Sequence, residues 1–365
     1  MRRLACGLLL CAVVAVASAQ ERVLQMADSI VKYQMKSGGW PKNQDWLEGV
    51  SEHEAGMWAK TGIGSTIDNG ATVTEMRTLV KAVDKLEDIK AASSDRMNKM
   101  VLESDELRYR EAFVRGLQFL LAMQYPNGGF PQFHPARSTE DYSSQITFND
   151  NAMVNVMRLL KGVADEDTQY KNIGVDKGLR RKCRAAYERG LQCVMNCQIR
   201  VDESGRVLTY GTEEWKKGRR TVWCQQHDKM TLAPTKARAY ELPSYTAHGE
   251  TVDLIELLMD EQDQTAEVKE AINGAVEWLK AHAMKDVTVE HFTNEDGEKD
   301  IRMAKKKGAP LLWARFYDLE SGEPMYCDRD GVPRKSLSEI GYERRNGYQW
   351  VGDSPQRVID RYEKK

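Results

Sequence analysis

The sequence repeats one pattern along its length, and this repetition limits the folds that are open to it. The tetrapeptide Arg-Gly-Leu-Gln occurs at residues 115–118 and again at 189–192, each time inside a segment whose apolar residues have the spacing of an amphipathic helix. A third segment with this spacing surrounds Val268 and Ile272. Three segments of this kind indicate three structural repeats.

The loops between the helices repeat as well. Gly-Gly-aromatic-Pro occurs at residues 38–41 and 128–131, where adjacent glycines end a helix and the proline prevents its continuation. Polar helix starts follow at residues 66–73 and 147–154, with a fainter copy at 243–250. Because one pair of helices cannot bury both of its apolar faces alone, we expect three hairpins to close around a shared core. The prediction is a mainly α fold, an (α/α)₃ toroid of three helical hairpins with long loops and little β-structure.

The N-terminus has the pattern of a cleavable signal peptide over residues 1–19. Met1–Arg3 is basic, Leu4–Val16 is apolar, and Ala17–Ala19 has the form of an A-x-A cleavage site. The apolar run is too short to span a bilayer, and no later segment approaches that length. We therefore expect cleavage after Ala19, a periplasmic or secreted destination, and a single catalytic domain over residues 20–365.

The charge balance bears on possible partners. The chain has 53 Lys and Arg residues against 55 Asp and Glu residues, a net charge of −2. Without a global basic field, nucleic acid is not an expected partner. A local cluster of Arg and Lys can still bind an anionic ligand, and a monomer is expected.

Adjacent Asp and Asn residues at two helix starts are the first candidates for a site. They are Asp68 and Asn69 in one copy, and Asn149, Asp150 and Asn151 in the next. Such residues are good N-caps, but two or three in a row exceed what capping needs. Their oxygen atoms are hard ligands that suit Ca²⁺ better than zinc. Nearby aromatic residues either pack in the core or offer stacking faces to sugar rings; they are Trp40, Trp46 and Phe130.

Several blocks of the sequence jointly resemble the pectate lyases of polysaccharide lyase family ten. The blocks are GGWPKN at 38–43, TIDNGAT at 66–72, NGGFP at 127–131, FNDNAM at 148–153, WCQQHD at 223–228, PTKARAYE at 234–241 and WARFYD at 313–318. They run through nearly the whole chain after the signal peptide. The resemblance implies an (α/α)₃ toroid and Ca²⁺-dependent anti-β-elimination of de-esterified α-1,4-polygalacturonate or its oligogalacturonides.

The resemblance also implies roles for single residues. Arg238 matches the Brønsted base that removes the C5 proton, and Asp150 matches the principal calcium ligand. Asp68 and Asn69 match the pair beside the scissile bond, with Asp68 as a second metal ligand. Substrate-binding roles are implied for Arg315, Arg329, Lys42 and Tyr245.

Two other functions are compatible with the sequence. A glycoside hydrolase on an α/α toroid needs two carboxylates across the scissile bond, and Asp150 with Glu241 or Asp68 would supply them. A non-catalytic uronate-binding protein would bind the polymer without shortening it. His227 and Asp228 are compatible with catalysis, although a structural polar cluster is the favoured interpretation.

Overall fold

The computed structural model describes residues 21–61, 64–138 and 141–364. The predicted signal peptide and its cleavage site lie outside these ranges. The chain forms two compact units whose segments alternate along the sequence. Unit 1 comprises the chain up to Gln124, Gln132–Arg137 and Asn155–Tyr187; unit 2 comprises Tyr125–Pro131, Ser138–Val154 and Glu188–Lys365. The expectation of one domain over residues 20–365 stays a prediction.

The protein is mainly helical, with about 49% helix and 13% strand, as the repeats predict. The first helix described, α1, covers residues 21–32. The helices after it are α2 Glu52–Thr61, α3 Val73–Ala92, α4 Arg96–Met123, α5 Ala152–Asp165, α6 Lys177–Cys197, α7 Glu213–Lys217, α8 Glu250–Met259, α9 Ala266–Ala281, α10 Tyr342–Asn346 and α11 Ser354–Glu363. In unit 1 the long helices α3 and α4 pack against each other, and in unit 2 α11 packs on α8 and α9. No helix in the described ranges is long and apolar enough to cross a membrane.

Most strands of the described chain are short. They are β1 Ile146–Thr147, β2 Arg200–Val201, β3 Arg219–Arg220, β4 Gln226–His227, β5 Tyr245–Thr246, β6 Val287–Thr293, β7 Lys299–Lys305, β8 Trp313–Ala314, β9 Phe316–Tyr317, β10 Pro324–Cys327, β11 Pro333–Arg334 and β12 Val351–Gly352. A four-stranded antiparallel sheet has the order β11-β10-β9-β5, and the two-stranded pairs are β1-β4, β2-β3, β6-β7 and β8-β12. The ribbon β6-β7 is longer than the other pairs among the described residues, with register from Val287↔Lys305 to Thr293↔Lys299.

The sequence repeat corresponds to a repeated contact at the ends of three helices. A glutamine at each end donates its side-chain N–H to the carbonyl oxygen of an alanine in a later helix. The three bonds, each 2.8 Å long, join Gln34 to Ala112, Gln124 to Ala186 and Gln198 to Ala271. Each bond ties the end of one helix to the backbone of a later helix, so the same contact recurs in successive repeats.

The glycine-rich loops approach these helices so closely that a side chain does not fit. A Cβ atom at Gly38 or Gly128 would collide with the carbonyl oxygen of Arg115 or Arg189, respectively, and both glycines have positive φ, 99° and 91°. The loop motif and the Arg-Gly-Leu-Gln motif thus repeat together because they are two sides of one contact.

The aromatic residues near these loops belong to the core. Trp40 and Phe130 are completely buried and Trp46 is nearly so. The Trp40 indole N–H donates to the carbonyl oxygen of Ile30 at 2.7 Å. The alternative that they form stacking faces for sugar rings is therefore wrong, because neither face of a buried ring can meet a ligand.

Candidate active site

Two of the polar helix starts form the same turn. Asn69 and Asp150 occupy equivalent positions in the left-handed conformation, with φ of 52° and 51° and ψ of 30° and 29°. The equivalent residue of the third copy, Gly249, also has positive φ, 90°, but its ψ of −106° gives a different backbone conformation, which suits glycine alone. Asn and Asp enter the left-handed region more readily than other residues with a side chain, which explains the residue types of the first two copies. In each copy a threonine N–H donates to an aromatic residue's carbonyl oxygen: Thr66 to Trp40 at 3.1 Å, Thr147 to Phe130 at 3.0 Å and Thr246 to Trp223 at 2.8 Å.

In unit 1 this turn holds three of the predicted site residues together. Lys42 forms an ion pair with the buried Asp68, and the Asn69 amide donates to Asn43 Oδ1 at 3.1 Å. Thr72, rather than this pair, stands at the N-cap of α3. The second oxygen of Asp68, Oδ1, is buried without a hydrogen-bond partner among the described residues. Asp68 thus has one oxygen neutralised by a cation and one that can still accept a ligand.

In unit 2 the equivalent turn begins a buried polar network. The Asn149 amide donates to Asp150 Oδ2 at 3.0 Å. Gln225 donates to Asn149 Oδ1 and, at 3.2 Å, to Glu250 Oε1, and Glu250 forms an ion pair with Arg315. Burial opposes the charge of Arg315, but the negative charges of Glu250 and Asp150 hold its pKa above the ordinary value. The predicted metal ligand and a predicted carboxylate-binding arginine therefore share one electrostatic environment.

Arg238 joins the same network through Glu241. The arginine donates from Nε to Oε2 at 2.8 Å and pairs from Nη2 with Oε1 at 2.7 Å, while the Tyr348 hydroxyl donates to Oε1 at 3.1 Å. Gln225 in turn contacts the Tyr348 hydroxyl at 3.4 Å. Burial alone would lower the pKa of Arg238, but its hydrogen bonds and ion pair with Glu241 raise that pKa further above the usual range. Arg238 is strongly cationic in this arrangement.

Four arginine guanidinium groups pack against two neighbouring tyrosine rings. The rings of Tyr240 and Tyr348 lie 5.5 Å apart, edge to face. Their guanidinium contacts are Arg238 at 5.3 Å, Arg329 at 5.8 Å and Arg344 at 4.4 Å from the Tyr240 centroid, and Arg315 at 4.8 Å from that of Tyr348. Arg329 is exposed and makes a bidentate pair with Glu343 at 2.9 Å. The structure thus brings Arg238, Arg315 and Arg329 together, as an anionic polymer would require.

Tyr245 is not part of this group. It lies on β5, which pairs with β9 so that Tyr245 opposes Tyr317 and Thr246 opposes Phe316. Neighbouring residues of a strand point to opposite faces. Phe316 packs on Tyr348 and Trp350, whereas Tyr245 packs on Trp278, with ring centroids 5.2 Å apart. Tyr245 therefore faces away from the arginine cluster.

The oxygen atoms around Asp150 suit a hard cation. Three side-chain oxygens in its network are buried and have no hydrogen-bond partner within the described ranges: Asn151 Oδ1, Gln225 Oε1 and Glu250 Oε2. Carboxylate and amide oxygens are the donors that Ca²⁺ takes. No three carboxylate, imidazole or thiol side chains of the described chain form a metal cage. A bound calcium ion would thus depend on amide oxygens, water and the carboxylates of a ligand.

Several members of the network have only weak signals in the sequence. Gln225 stands in the WCQQHD block and Glu250 begins the faint third repeat, so their positions, but not their roles, are visible there. Tyr348 and Arg344 have no local signal at all. They reach the site only because the C-terminal segment folds back on the core cluster of Tyr240, Phe316 and Trp350.

His227 is structural. Its Nδ1 lies 2.8 Å from the carbonyl oxygen of Leu232, and its Nε2 accepts the Cys224 N–H at 3.1 Å. These contacts fix the neutral tautomer, with the proton on Nδ1. Burial of the imidazole lowers its pKa to about 4. These contacts and the burial confirm that the His227 ring belongs to a structural polar cluster. The ring is uncharged at neutral pH.

His227 should therefore make stability depend on pH. In the unfolded chain the imidazole takes up a proton as the pH falls below about 6.5, whereas in the native protein it does so only near pH 4. Because the unfolded state binds more protons between these values, the free energy of unfolding should fall by about 3 kcal/mol as the pH is lowered from about 6.5 to about 4. Urea unfolding at a series of pH values measures this slope. His227→Gln should flatten the slope, and exposed His291→Gln should leave it unchanged. An equal slope in wild type and His227→Gln would contradict the assignment.

Comparisons with known proteins extend over nearly the whole chain. The sequence model of the pectic acid lyase family matches residues 34–359. Two solved structures are similar to the chain: the family 10 polysaccharide lyase from Cellvibrio cellulosa, and a mutant of it in complex with trigalacturonic acid. Each is 28% identical with a TM-score of 0.72, and each covers 95% of this chain. The matches span 95% of the first structure and 96% of the second. Comparison with curated proteins gave no match.

Proposed function

Because this chain belongs to the pectic acid lyase family and is a lyase acting on polysaccharide, we propose that it cleaves de-esterified α-1,4-polygalacturonate by calcium-assisted anti-β-elimination. Arg238 is the proposed base. The observation that supports this proposal is the continuous network from Arg238 through Glu241, Tyr348 and Gln225 to Asn149 and Asp150. It connects the proposed base to the proposed metal ligand within one compact unit.

The reaction requires cationic groups around a uronate. Elimination removes the proton on C5 and expels the oxygen on C4, and negative charge develops beside the C6 carboxylate as the C5–H bond breaks. Arg315 and Arg329 would bind uronate carboxylates through charge-assisted hydrogen bonds. Preorganised charges of this kind commonly lower a barrier by several kcal/mol. Glu250 holds the Arg315 guanidinium in place before substrate arrives.

A bound calcium ion would add positive charge beside the uronate. Asp150, with the unpartnered oxygens beside it, would hold the ion, and the bound Ca²⁺ would act as a Lewis acid toward the uronate carboxylate. Asp68, the second metal ligand that the resemblance implies, belongs to unit 1 and stays a prediction. Asp150 keeps its backbone in the left-handed turn, and Asn149 orients its carboxylate.

Glu241 controls the protonation of the proposed base. Its charge raises the pKa of Arg238, yet the base acts in its neutral form. Glu241→Gln should therefore lower the pKa of Arg238 and move the rising limb of the pH–rate profile to lower pH. The maximal kcat should fall about tenfold, because one of the two orienting bonds is lost.

The measurement is kcat/KM for polygalacturonate across pH. Glu343→Gln provides the matched control, because it removes a carboxylate that pairs with Arg329 instead and should leave the limb in place. If the rising limb of the pH–rate profile stays at the same pH in Glu241→Gln, the group whose deprotonation produces that limb is not Arg238.

The geometry does not favour a glycoside hydrolase. Both oxygens of Glu241 accept hydrogen bonds, from Arg238 and from Tyr348. A carboxylate held in this way has no proton to give to a glycosidic oxygen. A non-catalytic binding protein would not need a metal ligand linked to Arg238 through a hydrogen-bond network.

One incubation separates these functions. Purified protein with polygalacturonate and calcium should form ultraviolet-absorbing unsaturated products, and a chelator should abolish them. New reducing ends without ultraviolet absorption would indicate a hydrolase. Binding without shortening of the polymer would indicate a non-catalytic protein.

We also propose that the protein is exported and acts as a monomer. Export is supported by the signal-peptide pattern of residues 1–19. Sequencing of the N-terminus of protein recovered outside the cytoplasm should begin at Gln20, and light scattering should give the mass of one chain. An intact Met1 in recovered protein would contradict export by this route.

A further inference from the structure

A polar hollow lies in unit 2, on the face of the β5-β9 pair that points away from the arginine cluster. Its volume is about 180 Å³. Arg219 of β3, Tyr245 of β5, Trp278 and His282 at the end of α9, and Glu320 and Gly322 of the turn after β9 line it. Phe316, one residue before Tyr317, points to the opposite side and packs on Tyr348. The hollow is therefore separate from the network around Arg238.

Three polar groups in this hollow have no protein partner within the described ranges. The Arg219 guanidinium is exposed and makes no ion pair, and the Tyr245 hydroxyl makes no hydrogen bond. His282 Nδ1 lies 2.8 Å from the carbonyl oxygen of Trp278, so Nδ1 is the donor and Nε2 is left as an acceptor. His282 Nε2 would lie only 3.4 Å from a Cβ atom at Gly322, so the absence of a side chain there keeps it accessible.

Packing holds two of these groups in place. Trp278 and His282 stack with centroids 3.9 Å apart, and Tyr245 packs on the same Trp278. Burial lowers the pKa of His282, so its ring is neutral near pH 7. Burial likewise raises the pKa of Tyr245 to about 12, so its hydroxyl keeps its proton. The hollow thus offers a hydroxyl donor and an imidazole acceptor in fixed positions, with the exposed guanidinium of Arg219 beside them.

We propose that this hollow binds one uronate unit of the polymer, with Arg219 paired to the carboxylate and Tyr245 and His282 bonded to ring hydroxyls. Pockets for drug-sized ligands are typically about 300–1,000 Å³, so the smaller volume here suits a single sugar ring. The inference rests on the proposed function for the identity of the polymer. The proposal assigns Tyr245 to an accessory subsite, on the face of the β5-β9 pair that points away from Arg238.

An accessory subsite changes affinity for long chains only. A polymer that occupies both the hollow and the arginine cluster gains from the second contact through effective concentration, whereas a trimer at the arginine cluster gains nothing. Arg219→Ala should therefore weaken binding of polygalacturonate about tenfold, as the loss of a charge-assisted hydrogen bond predicts. It should leave turnover of trigalacturonate unchanged. Glu320→Gln should strengthen polymer binding, because a like charge at the rim is removed.

The experiment measures two quantities. The first is the equilibrium binding of polygalacturonate and of trigalacturonate in an Arg238→Ala/Glu241→Gln background, where turnover is slowed by at least about 10³-fold; the second is kcat and KM for both ligands with Arg238 intact. Lys217→Ala is the matched control, since Lys217 is an exposed cation two residues away that does not line the hollow. Ser204→Trp, which obstructs the hollow without changing charge, should reproduce the effect of Arg219→Ala.

Two results would overturn the proposal: unchanged polymer binding in both Arg219→Ala and Ser204→Trp, or an equal loss for trimer and polymer. Failure of the proposed reaction has a different signature. In that case the wild-type protein forms no unsaturated product, while Arg219→Ala still weakens binding of the polymer.

Discussion

Replacement of Arg238 with alanine should reduce kcat on polygalacturonate by at least about 10³-fold, the effect expected when a positioned base is lost. The measurement is the initial rate of formation of unsaturated product at saturating calcium. Arg302→Ala provides the control: that arginine also pairs with a glutamate, Glu290, but on the exposed β6-β7 ribbon. It should retain the wild-type rate.

The structure requires a second variant to interpret this loss. Glu241 is only 3% exposed, and without Arg238 its charge would be buried with one partner fewer, which destabilises a protein. The double variant Arg238→Ala/Glu241→Gln removes that charge. The new amide oxygen can accept the backbone N–H of residue 238, and the new amide N–H can donate to the Tyr348 hydroxyl oxygen. It should recover thermal stability but not activity. If the double variant regained the wild-type rate, the loss in the single variant would reflect folding, and Arg238 would not be the base.

Replacement of Asp150 with asparagine should reduce activity about 10²- to 10³-fold at low calcium, in line with the loss of one preorganised charge. Asparagine adopts the left-handed conformation of Asp150 readily, so the turn should persist and the change should act on charge alone. Excess calcium should restore part of the activity. The calcium concentration at half-maximal rate, measured for both proteins, is the readout.

Asp260→Asn is the control for this substitution. Asp260 is exposed and pairs with Arg361, so its loss should not alter the calcium dependence. An unchanged calcium requirement in Asp150→Asn would remove Asp150 from the metal site. Loss of activity without any shift in the calcium requirement would instead assign Asp150 a contact with substrate.

How much of the structure the sequence predicts differs from residue to residue. The polar helix start at Asp150 was visible in the sequence as a repeat, but its left-handed turn was not; positive φ at this position explains why Asn, Asp and Gly occupy it in the three copies. The burial of Trp40 was not decided by the sequence, since a tryptophan beside a glycine-rich loop suits a core and a sugar-binding face equally. The structure shows that Trp40 belongs to the core, because the ring is completely buried and its indole N–H donates to the carbonyl oxygen of Ile30. Tyr245 matched a family motif, yet the strand register turns it away from the arginine cluster.

The sequence by itself determined the repeat, the mainly helical fold, the turn residues and the family. These features follow from interactions between residues close along the chain, where helical periodicity and backbone preference are directly legible. Tertiary structure alone decided which side chains meet. Tyr348 and Glu241 are 107 residues apart, and Gln225 and Tyr348 are 123 apart. Contacts of such range depend on the packing of whole elements, so no local pattern records them.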